Sequence, residues 1–306
     1  MADALYGATG FYRRPGAPAL HFRTAAHTSP LWAAAWARLA ERVAAEVDAM
    51  TVVEVGAGGG ELIGGLAALV PPHWRLVGVD VCPRPPRLPA RVEWTGDVPV
   101  AFDGLLVVVE WLDVVPVDVV ECTDDGVHLV EVSTDGRERI GPPIDSGAEA
   151  WLRQWWPLDE IGDRAEVGDS RDRAWRDAVG RLVRGVAVAV DYVADPRRDV
   201  AGTLTGYRAG RQVAPVPDGS CDLTAHVLIE SCAAAVEGVT TRLTTQREAL
   251  RGLGVSARRP AYDANAEEYL AALQRTGEAA ELLDPGGLGA FTWLVQARGV
   301  PLPLDV

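Results

Sequence analysis

The stretch Thr51–Leu62 constrains the fold of this chain more than any other part of the sequence. It opens with an apolar run typical of a buried strand (Val52, Val53 and Val55), passes through a turn made mostly of glycine, and closes on Glu61-Leu62, where a helix is predicted to begin. Glycine accepts positive φ and lets the backbone approach a ligand closely. In open α/β sheets, a turn of this kind at the carboxyl end of a strand binds nucleotide-like ligands. The stretch therefore predicts an α/β fold with a ligand site at its glycines.

The spacing of the glycines narrows the class of ligand. The pattern is Glu54-x-Gly56-x-Gly58-x-Gly60, and the sixth position counted from Gly56 is Glu61, so the Gly-x-Gly-x-x-Gly fingerprint of dinucleotide-binding folds is incomplete. The pattern resembles the first motif of S-adenosylmethionine (SAM)-dependent methyltransferases. In that motif the acid faces the methionine end of SAM and the glycines let the cofactor lie against the backbone, which makes these four residues candidates for binding the cofactor. The alternative is a strand–turn–helix joint that is rich in glycine for packing alone.

Composition and charge exclude several classes of protein. The chain has 306 residues, enough for one large α/β domain with an insertion or for two domains. Its net charge of −14 argues against a nucleic-acid phosphate track, which needs clustered basic residues. The four cysteines are not spaced as metal ligands, and we see neither a secretory signal nor an apolar run of the ~18 residues that a membrane span needs. We therefore expect a soluble, cytoplasmic protein that binds no metal, membrane or nucleic acid.

Turn residues and apolar runs divide the chain into three regions. Residues 1–30 are punctuated by Gly and Pro and predict an N-terminal arm; at its end, Ser29 and Pro30 predict the N-cap and first residue of a helix. Residues 31–116 and 185–306 contain apolar runs typical of buried parallel strands, and predict the cofactor-binding domain. Residues 117–184 predict an inserted region over the acceptor side of the site.

Secondary structure is less regular in and after the inserted region. Residues 117–140 alternate apolar and polar side chains around Asp-Gly turns, which is typical of a hairpin or meander. Residues 146–185 read as helical, with four tryptophans. Residues 194–226 are polar and predict a long loop, which in a compact domain is usually functional or disordered. The last strand is predicted at about 291–296.

Two acidic residues follow predicted strands of the cofactor-binding domain. Asp80 ends the strand after the glycine motif, where an acid in nucleotide-binding folds accepts hydrogen bonds from ribose hydroxyl groups. The alternative for Asp80 is a solvated strand end. Asp97 comes shortly after a short predicted third strand, where a carboxylate could accept from the adenine amino group. Both are candidate cofactor-binding residues.

Further candidates lie at the ends of the next strands and in the long loop. Glu110 follows the most apolar run of the chain, and in methyltransferase sheets the end of this strand lies beside the reactive sulfonium of SAM. A carboxylate there can orient a cationic acceptor or take its proton. Asp113 lies close by in sequence, Asp191 ends the next central strand, and His226 lies in the long loop. These four are the candidate catalytic residues; helix capping for Glu110 and Asp113, and a structural role for His226, are the alternatives.

Several segments, in this order along the chain, resemble the MidA family of SAM-dependent methyltransferases. That family includes the mitochondrial complex I assembly factor that methylates a protein arginine. The matches span about residues 22–254, and the segments are Thr28-Ser29-Pro30, Glu54–Leu62, Glu110–Val117, Asp191-Tyr192, Gly202–Arg208, Asp222–Val227, and Thr245-Gln246 with Leu253-Gly254.

The resemblance implies a fold, a cofactor and an acceptor. The fold is a Rossmann-like class I methyltransferase, α/β, with a seven-stranded, mostly parallel sheet whose last strand is antiparallel. The cofactor is SAM, and Ser29 in the N-terminal segment is assigned to its site. The acceptor is an arginine side chain of a partner protein. A guanidinium is a cation with a fixed fork of donors, which Glu110 and a second acid could hold.

The chain departs from the family's pattern at four positions. It has Leu31 in place of Glu, Val109 in place of Asn, Val193 in place of Gly, and Gly210 in place of His. These departures leave two alternatives open: a non-catalytic assembly factor that keeps the fold, and a small-molecule methyltransferase of secondary metabolism. An NAD(P)-dependent oxidoreductase is a more distant alternative, because the glycine spacing does not fit it. The oligomeric state is left open.

Overall fold

The computed structural model describes residues 1–13, 29–261 and 265–304, which fall into two compact units. The first, called here the sheet unit, consists of the described residues within 23–109, 179–190 and 238–306. The second, the meander unit, consists of those within 1–22, 110–178 and 191–237. This division differs from the expected domains, because the N-terminal residues and residues 191–237 group with the expected insertion. Residues 14–28 of the expected arm, with Thr28, lie outside the described residues.

The helices range from one turn to nearly five turns. In chain order they are α1 (Ala2–Tyr6), α2 (Pro30–Ala44), α3 (Glu61–Leu69), α4 (Ser146–Trp155), α5 (Asp169–Val179), α6 (Ile229–Ala234), α7 (Gln246–Gly252) and α8 (Ala266–Leu282). Short 3₁₀ turns occupy Phe11–Arg13 and Leu288–Ala290. In the described part of the chain, none of these helices has the length and apolarity that crossing a membrane requires.

The strands belong to three sheets. In chain order they are β1 (Thr51–Val55), β2 (Arg75–Val79), β3 (Val92–Thr95), β4 (Phe102–Val109), β5 (Asp118–Thr123), β6 (Gly126–Val132), β7 (Glu138–Pro143), β8 (Arg164–Val167), β9 (Leu182–Asp191), β10 (Thr205–Arg208), β11 (Arg211–Val213), β12 (Asp222–Thr224), β13 (Thr240–Thr245) and β14 (Thr292–Arg298).

The largest sheet has seven strands in the order β13-β14-β9-β4-β1-β2-β3. Strand β1 pairs in parallel with β2 and β4, and β4 pairs in parallel with β9. Strands β13 and β14 pair antiparallel at the end of the sheet. The expected seven-stranded, mostly parallel sheet with an antiparallel last strand is therefore confirmed. The strand order reverses at β1, so the glycine turn that follows β1 lies at the switch point where open α/β sheets bind ligands.

Two glycines bring the three central strands close together. Gly104 in β4 has φ +133°, and a Cβ on it would lie 2.1 Å from the carbonyl oxygen of Thr51 in β1. Gly185 in β9 has φ +141°, and a Cβ on it would lie 1.9 Å from the carbonyl oxygen of Gly104. Any larger residue at either position would force adjacent strands apart, so both glycines are needed for this register.

An aromatic cluster anchors α2 on the sheet. As predicted, Ser29 is the N-cap of α2, with its Oγ accepting the N–H of Leu31 at 3.0 Å, and Pro30 is the first helical residue. Trp36 of α2 is fully buried and stacks on Trp293 of β14 with ring centroids 4.6 Å apart. Large aromatic side chains of this kind bury about 150–250 Å² each and dominate the stability of a core.

The meander unit contains the two smaller sheets. A four-stranded sheet has the order β7-β6-β5-β8, and a three-stranded sheet has the order β11-β10-β12. Strands β5, β6 and β7 pair antiparallel, which confirms the predicted meander. The prediction that residues 146–185 are helical is wrong between α4 and α5, where β8 pairs antiparallel with β5, and at the end of the range, where β9 begins. The predicted loop 194–226 contains β10, β11 and β12. These three short strands pair with one another inside the segment, and this pairing overrides its polar composition.

Candidate active site

The glycine turn between β1 and α3 forms the candidate cofactor site and lies in the sheet unit. Gly56, Gly58 and Gly60 have φ angles of +70°, +54° and +76°. Residues with a Cβ adopt positive φ only at a cost in conformational free energy, so glycine suits all three positions. The N–H groups of Gly56 and Ala57 donate to the carbonyl oxygen of Val79 at 2.9 and 3.2 Å, which ties the turn to the end of β2.

The turn is open at its middle glycine. Among the described residues, a Cβ built on Gly58 would meet no atom within 4 Å, whereas one built on Gly60 would lie 2.7 Å from the side chain of Leu88. The last glycine is thus required by packing inside the protein. The space beside Gly58 fits a cofactor that lies against bare backbone, as SAM does in the motif that this turn resembles.

Glu54 supports the turn from within the sheet unit. Its side chain is buried, and Oε2 accepts the N–H of Ile63 at 2.9 Å, which satisfies a donor in the first turn of α3. Burial raises the pKa of Glu54 to about 8; the bond from Ile63 lowers it, and Glu61 and Asp80 raise it. Glu54 is therefore mostly protonated at pH 7. Its contact with the cofactor stays a prediction, and the observed bond gives it a role in holding the helix against the turn.

Asp80 follows β2 and holds two loops by their backbone. Its Oδ2 accepts the N–H of Gly58 at 2.8 Å, and its Oδ1 accepts the N–H of Cys82 at 2.7 Å. Each carboxylate oxygen has a second lone pair, so both can still accept from ribose hydroxyl groups. Asp97 is exposed after β3, and its N–H donates to Oγ1 of Thr95 at 3.3 Å. The ribose and adenine roles of the two acids stay predictions.

Ser29, the remaining candidate for the cofactor, has two partners inside the sheet unit. Besides capping α2, its hydroxyl donates to Oε2 of Glu278 in α8 at 2.7 Å. Its side chain is buried, so these bonds fasten α2 to α8. The contact of Ser29 with the cofactor stays a prediction.

In the meander unit, Glu110 begins a second group of functional side chains. It follows Val109, the last residue of β4, and has φ +49°, which is uncommon for a residue with a side chain. The hydroxyl of Tyr192 donates to Oε2 of Glu110 at 3.0 Å. The rings of Tyr192 and His226 stack with centroids 6.2 Å apart and an angle of 21° between their planes. Burial, together with the charge of Glu110, raises the pKa of Tyr192 above its usual value, so the phenol remains a donor.

Two buried acids in the same unit share a hydrogen bond. The N–H of Asp113 donates to Oδ2 of Asp191 at 3.2 Å, and the N–H of Tyr192 donates to Oδ1 of Asp191 at 2.9 Å. Burial raises the pKa of Asp191 to about 7, Arg171 lowers it, and Glu110 raises it. Burial and then the charge of Asp191 raise the pKa of Asp113 well above its usual range. The pair can therefore hold a proton at neutral pH.

A third buried acid of the meander unit joins this group to the N-terminus. The hydroxyl of Tyr12 donates to Oδ2 of Asp222 at 2.8 Å, and the hydroxyl of Tyr6 donates to the carbonyl oxygen of Val114 at 3.0 Å. The rings of Tyr6 and Tyr12 stack at 5.4 Å. Burial raises the pKa of Asp222 to about 6, and the bond from Tyr12 lowers it. The first residues of the chain are thus fastened beside the acids.

The two sets of candidate residues separate cleanly between the two units. The seven cofactor candidates lie in the sheet unit, and the catalytic candidates Glu110, Asp113, Asp191 and His226 lie in the meander unit. The sequence analysis included Tyr192 in the segment Asp191-Tyr192 but gave its side chain no role, and it missed Arg171. Nothing in the sequence distinguishes Arg171 from the other arginines of a polar helix, so only the fold identifies it.

The sheet order and the open glycine turn after β1 define the class of this protein as a Rossmann-like methyltransferase. Residues 75–246, more than half of the chain, match the model of the family Methyltransf_28, whose description is "Putative S-adenosyl-L-methionine-dependent methyltransferase". The chain therefore belongs to this family. A search of curated proteins gave no match.

Solved structures agree with this assignment over nearly the whole chain. A COG1565 superfamily member from Burkholderia thailandensis, crystallised with S-adenosyl-homocysteine (SAH), is 25% identical with a TM-score of 0.83 and covers 99% of this chain and 88% of its own. The native structure of a COG1565 superfamily protein from Burkholderia thailandensis is 26% identical with a TM-score of 0.81 and covers 99% and 87%. The expected MidA-like family is confirmed. The protein is a SAM-dependent methyltransferase, with SAM as its cofactor.

Proposed function

We propose that this methyltransferase modifies an arginine side chain of a partner protein. The resemblance to the MidA family suggests this acceptor. The observation that carries the proposal is the bond from the Tyr192 hydroxyl to Glu110, which fixes a carboxylate at one end of a ring that stacks on His226. A fixed carboxylate beside aromatic rings suits a planar cation that donates several hydrogen bonds.

The charge around Glu110 supports a cationic acceptor. Asp113, Asp191 and Asp222 are buried in the same unit, and the charge of Glu110 raises the pKa of both Asp113 and Asp191. A bound guanidinium would relieve this repulsion between acids. The net charge of −14 would also attract an arginine-bearing segment at long range.

The reaction requires the protein to orient the acceptor nitrogen and to accept one proton. When bound, SAM supplies a methyl group on a positively charged sulfur, and it leaves as neutral SAH. The acceptor nitrogen forms one bond to carbon and loses one proton. Glu110 holds the acceptor nitrogen and takes that proton, and Tyr192 keeps the carboxylate of Glu110 in place. Catalysis then depends mainly on positioning, which can supply a large part of a rate enhancement.

Two measurements test the proposal. Calorimetry with SAM and SAH establishes cofactor binding by the purified protein. Incubation with methyl-labelled SAM and a cell lysate, followed by acid hydrolysis of the protein fraction, identifies the labelled amino acid. Methylarginine in the wild-type reaction and none with Glu110→Gln, at unchanged SAH affinity, is the expected result.

Each other outcome points to a different function. Label in a small metabolite would replace the protein acceptor by a small molecule. Label in another amino acid would retain a protein acceptor and exclude arginine. Cofactor binding without any labelled product would favour a non-catalytic assembly factor. Equal labelling by the Glu110→Gln variant would remove Glu110 from the reaction.

A further inference from the structure

Arg171 is a buried cation whose bonds all lie within the meander unit. It occupies the first turn of α5 and is only 2% exposed. Its Nη1 donates to the carbonyl oxygen of His226 at 2.6 Å, and its Nη2 donates to the carbonyl oxygens of Asp113 and Ala225 at 2.8 and 3.0 Å. Arginine usually keeps its charged end in water, so complete burial requires a compensating role.

Among the described residues, Arg171 forms no ion pair, and its Nε has no hydrogen-bond acceptor. Its charge acts instead on nearby acids. Burial lowers the pKa of Arg171, while Asp191, Asp113, Cys232 and Glu166 raise it. In return, Arg171 lowers the pKa values of Asp191 and Asp113, which burial and the other acids raise.

The carbonyl groups that Arg171 holds belong to the two segments that carry Asp113 and His226. These segments are also bonded to each other, because the N–H of Ala225 donates to the carbonyl oxygen of Asp113 at 3.1 Å. On its other side, the N–H of His226 donates to Oγ1 of Thr203 at 2.9 Å. The backbone of His226 is therefore fixed at both its N–H and its carbonyl, on the same residue whose ring stacks on Tyr192.

A second buried residue continues this network. The hydroxyl of Thr203 donates to Oε2 of Glu166 at 3.0 Å, and Oε1 of Glu166 accepts the N–H groups of Thr203 and Leu204 at 2.8 and 2.9 Å. Glu166 is 2% exposed. The segment 203–204 thus provides a rigid support on one side of His226, and Arg171 provides the support on the other side.

We propose that Arg171 is the positioning residue of the acceptor side, where its guanidinium fork holds the backbone of Asp113 and of Ala225-His226 and so orients the His226 ring against the Tyr192–Glu110 pair. The inference rests on the proposed function, since it concerns the same group of side chains. It adds a requirement for arginine in particular. A lysine ammonium could keep the charge but could not reach three carbonyl groups on two segments from one planar fork.

The test compares Arg171→Lys and Arg171→Met with the wild-type protein. The matched control is Arg176→Met, a change on the same helix at a side chain that is about half exposed. Thermal unfolding and SAH calorimetry show that each variant is folded and binds cofactor. We expect SAH affinity within about twofold of wild type in all variants, because the candidate cofactor residues lie in the other unit. Methyl transfer should fall at least tenfold for both Arg171 variants and should not change for the control.

A second readout does not depend on an acceptor. Carbon-13 NMR of selectively labelled aspartate follows the titration of Asp191, and the Asp191→Asn variant assigns its signal. The groups that act on the pKa of Asp191 include Arg171, Glu110 and the backbone of Asp113. We expect its midpoint, about 7 in the wild type, to rise in Arg171→Met and to remain nearer its wild-type value in Arg171→Lys, which keeps the charge. The ring signals of His226 should move in both variants.

The outcomes separate the two proposals. If the wild type transfers no methyl group to arginine, the proposed function fails, and the titration of Asp191 and the signals of His226 alone decide the role of Arg171. If both Arg171 variants keep wild-type transfer, or if Asp191 and His226 are unmoved in Arg171→Met, Arg171 does not position this group.

Discussion

The hydroxyl of Tyr192 donates a hydrogen bond to Oε2 of Glu110 at 3.0 Å, although 82 positions separate the two residues in sequence. Each residue comes just after a central strand of the seven-stranded sheet: Glu110 directly follows β4, and Tyr192 directly follows β9. The two strands are adjacent and parallel, so their carboxyl ends bring the two side chains together. The bond is therefore a direct consequence of the sheet order.

Replacing Tyr192 by phenylalanine should impair methyl transfer without affecting the cofactor. The change removes the donor to Glu110 and keeps the aromatic ring that stacks on His226. A lost hydrogen bond to a charged group corresponds to about 1.5–3 kcal/mol, or roughly a tenfold to hundredfold loss in rate. Initial rates with labelled SAM, together with SAH calorimetry, measure both effects. Tyr269→Phe, a tyrosine of α8 in the sheet unit, is the control, and equal rates for the two variants would contradict a role for the bond.

Gly58→Ala should weaken cofactor binding more than it weakens the fold. At φ +54° an alanine costs about 1–2 kcal/mol in backbone conformation. Its methyl group would enter the open space beside the turn, where we place SAM. Gly238→Ala is a matched control, since Gly238 has φ +71° and its Cβ would likewise meet no described atom within 4 Å. Urea unfolding should show similar losses for both, while SAH affinity should fall only for Gly58→Ala.

Glu54→Gln should change how stability depends on pH. The pKa of Glu54 is about 8 in the folded protein against an ordinary value of 4.5, so the folded state binds a proton that the unfolded state releases. Its contribution to stability is therefore complete below pH 4.5 and is lost as pH rises toward 8. Glutamine does not titrate and can still accept the N–H of Ile63. The free energy of unfolding of the variant, minus that of wild type, should increase from pH 5 to pH 9. The control is Glu41→Gln, at an exposed position of α2, for which this difference in unfolding free energy should not change with pH. If the difference for Glu54→Gln were also independent of pH, burial would not be the cause of the raised pKa of Glu54.

Tyr12→Phe should destabilise the protein more at pH 8 than at pH 5. The hydroxyl of Tyr12 stabilises the charged form of Asp222, whose pKa is about 6 in the fold. At pH 8 its removal leaves a buried carboxylate without this donor, at a cost of about 1–3 kcal/mol. At pH 5 Asp222 is mostly protonated and the loss is smaller. Tyr6→Phe, which loses a bond to the carbonyl oxygen of Val114, is the control and should cost the same at both pH values. Urea unfolding at both pH values provides the comparison.

The sequence predicted the parts of the fold that local patterns determine. The apolar runs of β1, β4 and β9 are long enough to indicate buried strands, and Ser29-Pro30 indicates the beginning of α2. Strand β13 was missed because it is mostly polar and lacks the apolar pattern of a buried strand. Its four threonines are nevertheless β-branched and favour an extended backbone. Strand β8 was missed because it is only four residues long and depends on its pairing with β5.

The positions of candidate residues relative to one another were predictable where the residues follow strands. Glu110 and Asp191 could be placed at a common sheet edge, because adjacent parallel strands end together. The bonds of Arg171 to the segments at Asp113 and at Ala225-His226 could not be predicted, since they join positions more than 50 residues apart through backbone carbonyl groups that carry no sequence signature.

The backbone of Glu110 has a consequence for related sequences and for engineering. Glycine adopts the left-handed φ of this position at a lower energy than glutamate does. The fold therefore tolerates a conformational penalty of about 1–2 kcal/mol in order to place a carboxylate there. Glu110→Gly should therefore yield a protein that survives heating better while it loses turnover. Natural chains with glycine at this position would then be identifiable from sequence as stable proteins of the same fold that do not catalyse methyl transfer.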